Sequence, residues 1–188
     1  TQIAATDGVM LKLNAMNAVI GHDAPRSRVR VQAGMSLNQL NRELLALGLA
    51  MPNLGDVDPQ SVAGATSTGT HGTGAKLRGI ADAIVGLQLV TASGDILEID
   101  ESHPWFNAAR VGLGALGIVT EVTLQCVPAY LLHAAERPMS LPEVLENLDH
   151  FVDSNDHFEF YWFPHTEKAL IKENNRMPAG TEPKPLPK

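Results

Sequence analysis

The feature that most constrains this chain is a glycine-rich segment, residues 53–82, that interrupts an otherwise regular succession of strand and helix patterns. Between residues 43 and 75 there is no Lys or Arg. Glycine permits positive φ and close approach of a ligand, and successive backbone N–H groups in such a segment form a concavity that binds anions. An anion held here would be met by amide and hydroxyl dipoles, which suits a diphosphate. Composition alone is equally compatible with a surface loop that binds nothing.

Side chains in this segment add to the donor set. Ser61 precedes a short apolar stretch and is predicted to cap a helix whose positive end faces the ligand. His71 is the only histidine in the segment, and we expect it either to fix the loop by a hydrogen bond or to contact a cofactor. The other hydroxyl donors expected here are Thr66, Ser67, Thr68 and Thr70.

Patterns on either side of the segment predict short strands and short helices. Residues 28–32 alternate strictly and indicate a half-buried strand. Ser36 and Gln39 form a capping box at the start of a helix that ends at Gly48. Its predicted buried face is Leu37, Leu40, Leu44 and Leu47. Further strands are predicted at residues 9–13, 83–91, 96–99, 117–127 and 130–134, and a helix at 104–111 with Trp105 and Phe106 inward.

A second unit is predicted to begin near Arg137. Ser140 and Glu143 form another capping box, and strands follow at residues 157–163 and 168–172. The buried stripe of the helix is expected to be Leu141, Val144, Leu145, Leu148 and Phe151. Because this strand–helix–strand–strand order follows a unit rich in antiparallel hairpins, the fold class is α+β rather than a doubly wound parallel sheet. We predict two domains, residues 1–136 and 137–188.

The ends of the chain indicate a piece of a longer protein. The chain begins at Thr1 without a Met, and its last residues, 177–188, are rich in proline. Proline removes a backbone donor and fixes φ, so such a run forms neither a helix nor an inner strand. We expect it to be a linker, a loop or a cut end.

Composition excludes several classes of function. Lys and Arg number 14 against 21 Asp and Glu, and the net charge of −7 argues against nucleic acid as a partner. No uninterrupted apolar run is long enough to cross a membrane, and nothing indicates membrane association. The single cysteine, Cys126, excludes a disulfide or a cysteine-rich zinc site within the chain and fits a reducing compartment, so we expect a cytoplasmic location. No metal site is predicted.

Three other local patterns do not indicate a binding site. Residues 112–117, Gly-Leu-Gly-Ala-Leu-Gly, match the spaced glycines of a dinucleotide fingerprint, but a helix precedes them and a strand follows, which is the reverse of the required context. The histidines at 150, 157 and 165 are too irregularly spaced for a metal site and are expected at the surface or in hydrogen-bonded core positions. A solvated acidic face is expected from Asp149, Asp153, Asp156 and Glu159.

Three motifs resemble those of the sugar-1,4-lactone oxidases. The first is Gly-Asp-Val-Asp-Pro-Gln-Ser-Val-Ala-Gly-Ala-Thr at 55–66, followed by Thr-Gly-Thr-His-Gly-Thr-Gly at 68–74. The second is Leu-Gly-Ala-Leu-Gly-Ile-Val-Thr-Glu-Val-Thr-Leu at 113–124, and the third is His-Phe-Glu-Phe at 157–160. This family contains L-gulono- and D-arabinono-1,4-lactone oxidases, has alditol oxidases as near relatives, and belongs to the vanillyl-alcohol-oxidase type flavoproteins.

The resemblance implies the later part of a PCMH-type FAD-binding domain, followed by the start of a substrate domain. Positions that match cofactor-binding positions of the family lie near the diphosphate and the flavin ring. They are Gly55, Asp56, Ser61, Gly64, Thr68, Gly69, Thr70, His71, Gly72 and Ile118. The family's Gly-His-Ser-Phe loop would precede Thr1 and its acid, base and Arg residues would follow Lys188. The resemblance therefore implies no catalytic residue here, and we expect the chain alone to be inactive.

The implied reaction is hydride transfer from a sugar lactone or a polyol to FAD, with electrons passed on to oxygen or another acceptor. Gly55 matches a position beside the flavin where a small residue is associated with oxygen access. Alternatives are an alditol oxidase, a flavin-binding electron-transfer module without oxidase chemistry, or an anion-binding domain without flavin.

Overall fold

A computed structural model describes residues 7–183, which form three antiparallel sheets flanked by short helices. The largest sheet has the strand order β1-β2-β6-β4-β5, and every neighbouring pair is antiparallel. A two-stranded ribbon joins β3 to β7. The elements of this part are β1 (Val19–Asp23), β2 (Arg28–Gln32), α1 (Leu37–Ala46), β3 (Leu49–Ala50), α2 (Val62–Ser67), β4 (Ile84–Val90), β5 (Ile96–Asp100), α3 (Phe106–Arg110), β6 (Ile118–Gln125) and β7 (Val127–Pro128), with 3-10 turns at Ala24–Arg26 and Ile80–Ala83.

The core of this part lies on one face of the large sheet. Val29 and Val31 on β2 pair in register with Leu124 and Val122 on β6, and all four side chains are fully buried. Helix α1 packs on this face because Leu37, Leu40 and Leu44 follow its 3.6-residue period. Ser36 caps α1 as predicted, since its hydroxyl accepts a hydrogen bond from the Gln39 N–H.

The second part is a three-stranded sheet, β8-β10-β9, with two helices on one face. Its elements are β8 (Leu132–Ser140), α4 (Leu141–Glu146), α5 (Leu148–Ser154), β9 (His157–Trp162) and β10 (Lys168–Arg176). A small hydrophobic cluster joins Val144 and Phe151 of the helices to Ala169 and Ile171 of β10. Because side chains alternate along a strand, the opposite face carries polar residues of β9 and β10. These are His157, Glu159, Tyr161, Lys172 and Asn174.

The α+β prediction is confirmed, but several local predictions are wrong. Residues 9–13 form no strand: Val9, Met10 and Leu11 are exposed, and no strand among the described residues pairs with this apolar run. Trp105 is exposed, whereas its neighbour Phe106 is buried as expected. Leu47 lies partly exposed beyond the end of α1. The stripe at 141–151 splits between α4 and α5 at Asn147, which leaves Leu145 exposed.

The predicted division after residue 136 falls inside β8. Since the whole of β8 pairs with β10, the pairing favours a division a few residues earlier, and the domain boundary stays a prediction. The Pro-rich run lies only partly within the described residues, because Lys184–Lys188 fall outside them. In the described part of the chain no helix has the length and apolarity to span a membrane.

Candidate functional site

A cleft of about 410 Å³ lies where the glycine-rich segment meets the polar face of the second sheet. One wall, the backbone wall, is formed by residues 54–56 and 71–73. The other wall comes from the second sheet, and Tyr130 and Leu132 close one side. The side chains that line that second wall are His157, Glu159 and Asn174. Four of the predicted cofactor-binding residues, Gly55, Asp56, His71 and Gly72, line this cleft.

The backbone wall is held together by one glycine and one asparagine. A Cβ added to Gly72 would lie 2.0 Å from the Leu54 carbonyl oxygen, so only glycine allows the two segments of this wall, 54–56 and 71–73, to touch. The buried Asn53 side chain joins the same two segments. Its amide donates to the carbonyls of Thr73 (3.3 Å) and Arg78 (3.1 Å), and its oxygen accepts from the Leu54 N–H (2.9 Å).

The backbone wall presents hydrogen-bond donors. The backbone N–H groups of Gly55, Asp56, His71 and Gly72 have no acceptor among residues 7–183. The imidazole of His71 is oriented by its Nδ1, which donates to the Gly72 carbonyl at 3.0 Å. A row of unpaired N–H groups along a cleft is suited to the carbonyl oxygens and ring nitrogens of a planar heterocycle, or to an anion.

The opposite wall presents acceptors. The His157 side chain is buried, and its Nδ1 lies 3.1 Å from the Thr73 carbonyl oxygen. The Nε2 of the same ring and Oδ1 of Asn174 are buried without a partner among the described residues. The two residues are directly opposite each other in the β9–β10 register.

A charged group at the mouth of the cleft links the two walls. Lys172 Nζ lies 3.0 Å from Glu159 Oε1 and 3.3 Å from Asp56 Oδ2, and the Tyr161 hydroxyl donates to Asp56 at 3.4 Å. The hydrogen bond to Glu159 raises the pKa of Lys172, and the negative charge of Glu159 raises the pKa of Tyr161. The expectation that Glu159 belongs to a solvated acidic face is wrong, because Lys172 neutralises it in a half-buried pair.

The remaining predicted residues, apart from Ile118, lie along α2 and its ends. Ser61 caps α2 by accepting from the Gly64 N–H at 3.1 Å, as predicted, and it lines a second, polar cleft of about 370 Å³ with Ser36. Gly64, Thr68 and Gly69 are exposed, and Gly69 has a φ of 69°. Thr68 donates to the Gly64 carbonyl, with the Thr70 hydroxyl 3.5 Å away. Ile118 begins β6, opposite Val90.

The glycine pattern at 112–117 has the reversed context that the sequence predicts. Helix α3 precedes it and β6 follows it. Gly114 and Gly117 have φ values of 77° and 143°, so the glycines serve a turn between these elements. The Leu113 N–H donates to the Ser67 carbonyl, which fixes this turn against the end of α2.

Cys126 is expected to be chemically inert in the folded protein. Burial raises the pKa of its thiol to about 11, and only the thiolate reacts rapidly with alkylating reagents. At about pH 8, labelling by iodoacetamide should be at least roughly tenfold slower in the native protein than in denaturant. Mass spectrometry of timed samples measures both rates, and equal rates would contradict the buried position.

Comparison with known proteins gives two family matches. Residues 1–100 match the model of the FAD binding domain, and residues 122–188 match that of D-arabinono-1,4-lactone oxidase. The L-gulono-1,4-lactone dehydrogenase of Mycobacterium tuberculosis is 46% identical over 187 residues, covering 100% of this chain and 43% of that protein. The L-gulonolactone oxidase of Bos taurus is 43% identical over 186 residues, covering 96% of this chain and 42% of that protein. The chain thus spans less than half the length of these relatives.

Solved structures share the fold at lower identity. Cholesterol oxidase from Brevibacterium sterolicum superimposes with a TM-score of 0.79 at 20% identity, over 86% of this chain and 34% of that one. Alkyldihydroxyacetonephosphate synthase gives a TM-score of 0.77 at 17% identity, over 89% and 38%. At these identities the likeness concerns the fold alone.

Sequence reasoning missed the residues that complete the cleft. Asn53 precedes the first motif and Thr73 lies within it, but neither has a local pattern that marks it as a structural link. His157 is hydrogen-bonded and buried, as expected, yet it also lines the cleft. The period-two pattern of β9 put His157 and Glu159 on one face, but only the packing of that face against residues 54–73 brings them to the site.

Proposed function

The chain belongs to the FAD-binding sugar-1,4-lactone oxidases and dehydrogenases, and we propose that it forms the flavin-binding part of an enzyme that oxidises a sugar-1,4-lactone. FAD is the cofactor of this family. When bound, it supplies the two-electron acceptor for a hydride from the substrate. The names of the relatives support a lactone as substrate, and both an oxidase and a dehydrogenase occur among them.

The observation that carries this proposal is the row of unpaired N–H groups on the backbone wall of the cleft. The polar atoms of the isoalloxazine ring are mostly acceptors, namely two carbonyl oxygens and two unprotonated ring nitrogens in the oxidised state. Four N–H donors without an acceptor among residues 7–183 therefore fit that ring. We assign Gly55, Asp56, His71 and Gly72 to the flavin end.

The diphosphate end is assigned to the exposed side of α2 and its flanking turns. The residues that would bind the diphosphate are Ser61, Gly64, Thr68, Gly69 and Thr70. Ile118 would lie along the cofactor. Within residues 43–75 no cationic side chain is present, so amides and hydroxyls would supply the neutralising dipoles. The role of the protein is to orient the cofactor, exclude water and fix the substrate.

The test is anaerobic reduction of the flavin in the protein that contains this chain. A sugar-1,4-lactone should bleach the yellow colour of the oxidised cofactor in a single turnover. Reduction by alditols but not by lactones would favour an alditol oxidase, and reduction by neither would favour an electron-transfer module. A purified protein without flavin that also fails to bind added FAD would overturn the proposal.

We further propose oxygen as an electron acceptor, and Gly55→Ala tests it. Gly55 does not have positive φ, so alanine is conformationally allowed, but its Cβ would lie 3.1 Å from the His71 carbonyl oxygen and narrow the cleft. Reoxidation of the pre-reduced flavin by oxygen should slow by about tenfold or more, equivalent to roughly 1.4 kcal/mol of barrier. Stopped-flow absorbance measures this rate.

Two controls separate oxygen access from general damage in this variant. Reduction by substrate, and reoxidation by an artificial dye, should remain close to wild type. Gly79→Ala should leave all three rates unchanged, because its Cβ would meet its neighbours at 3.5 Å or more. Unchanged oxygen reactivity in Gly55→Ala would mean that Gly55 does not control access.

A further inference from the structure

Two buried acceptors belong to residues in the wall opposite the backbone amides. The His157 side chain is 7% exposed, and Asn174 is its cross-strand neighbour on β10. Neither His157 Nε2 nor Asn174 Oδ1 has a hydrogen-bond partner among residues 7–183, and both residues line the cleft. Buried polar atoms are normally paired, because an unpaired one carries the full cost of its desolvation.

The hydrogen bond at the other ring nitrogen defines what His157 can bind. His157 Nδ1 lies 3.1 Å from the Thr73 carbonyl oxygen and 3.4 Å from the Thr73 hydroxyl. Because a carbonyl oxygen only accepts and its contact is the shorter of the two, it assigns the proton to Nδ1. In the neutral imidazole, Nε2 is then an acceptor and needs a donor from a ligand. Asn174 offers an amide, whose oxygen accepts and whose NH₂ donates.

The nearby charges leave these two groups available. The carboxylate of Glu159 on the same face is paired with Lys172 at 3.0 Å, and Lys172 is also bound to Asp56. The adjacent Asn175 amide is occupied by the Asn155 side chain at 2.7 Å. Within residues 7–183, His157 Nε2 and Asn174 Oδ1 are therefore the buried polar atoms of this wall that have no partner.

The chemistry of the two walls differs, and this points to different ligand groups. The N–H wall suits the acceptor-rich edge of the flavin, whereas an acceptor beside an amide suits a hydroxyl group, which donates and accepts at the same oxygen. We propose that His157 and Asn174 form a hydroxyl-binding pair that positions the sugar lactone and selects for its hydroxyl groups. This inference rests on the proposed function. Both residues are positioning residues, since neither is assigned a proton or hydride transfer.

His157→Asn and Asn174→Ala test the pair. The amide nitrogen of asparagine replaces Nδ1 and keeps the bond to the Thr73 carbonyl, but no group replaces Nε2. His133→Asn is the matched control, because His133 is an exposed histidine on β8 of the same sheet. Each variant is made in the protein that contains this chain, and a sugar-1,4-lactone is compared with deoxy-lactones that each lack one hydroxyl group.

For the hydroxylated lactone, KM should rise about tenfold in His157→Asn and in Asn174→Ala, the usual scale for leaving one buried partner unpaired. For the deoxy-lactone that lacks the contacted hydroxyl, KM should be the same in variant and wild type. FAD content and kcat at saturation should stay within about twofold of wild type, and His133→Asn should change nothing.

Several outcomes would overturn the inference. Equal losses on every lactone would mean a structural role, and unchanged KM values would mean that the pair binds no substrate. Loss of FAD with normal folding, judged by circular dichroism, would assign the pair to the flavin instead. Failure of the wild-type flavin to be reduced by any lactone would reject the proposed function itself, a result that is visible before any variant is compared.

Discussion

Gly72→Ala should remove most of the FAD affinity of this protein. The added Cβ would lie 2.0 Å from the Leu54 carbonyl oxygen, 2.7 Å from Asn53 Oδ1 and 2.9 Å from the Leu54 carbonyl carbon. Backbone atoms cannot swing aside as a side-chain tip can, so residues 53–55 must separate from 71–73. Overpacking of this kind costs about 1–3 kcal/mol, and if the cost falls on the bound state the dissociation constant for FAD rises about 5- to 150-fold.

Gly79→Ala is the matched control because it makes the same chemical change in the same segment. Its Cβ would meet the Thr70 carbonyl oxygen at 3.5 Å and the His71 Cβ at 3.7 Å, which are ordinary contacts. FAD binding can be followed by quenching of flavin fluorescence in a titration of the apoprotein. Equal affinity of the two variants would show that the contact between residues 54 and 72 does not shape the cofactor site.

Asn53→Ala should lower the free energy of unfolding by about 3 kcal/mol, because it removes all three hydrogen bonds of a buried side chain and leaves the Leu54 N–H and the Arg78 carbonyl without this partner. The Asn53 side chain is buried and makes three hydrogen bonds to the backbone, reaching Thr73 and Arg78 from a position next to Leu54. No neighbouring side chain can replace these bonds without moving. Urea denaturation followed by tryptophan fluorescence measures the change.

Asn38→Ala provides the comparison for that measurement. Its amide makes one hydrogen bond, 2.7 Å long, to the Asp58 carboxylate at the surface, where water can replace it. Asn38→Ala should lower the free energy of unfolding by only about 0.5–1 kcal/mol. Similar losses for Asn38→Ala and Asn53→Ala would mean that the Asn53 bonds are not what holds the backbone wall of the cleft together.

Local signals explain why many elements could be predicted from the sequence. Ser36, Ser61 and Ser140 each accept a hydrogen bond from the N–H three residues later, so a capping residue and its helix are encoded within four positions. The strict alternation at 28–32 predicted which valines are buried. Local patterns failed at residues 9–13, where an apolar run has no partner strand in the described part of the chain, and at Trp105, whose local pattern does not say on which side the core lies.

The sequence by itself determined the α+β class, the capped helices and the presence of a segment whose glycines allow a ligand to approach the backbone. Family resemblance added FAD, because the spacing of residues 55–74 is long and specific. Only the tertiary structure decided that His157 and Asn174 lie beside that segment, since Thr73 and its hydrogen-bond partner His157 are 84 positions apart in the sequence. Contacts over such separations depend on how two sheets pack, and no local periodicity or capping preference encodes that arrangement.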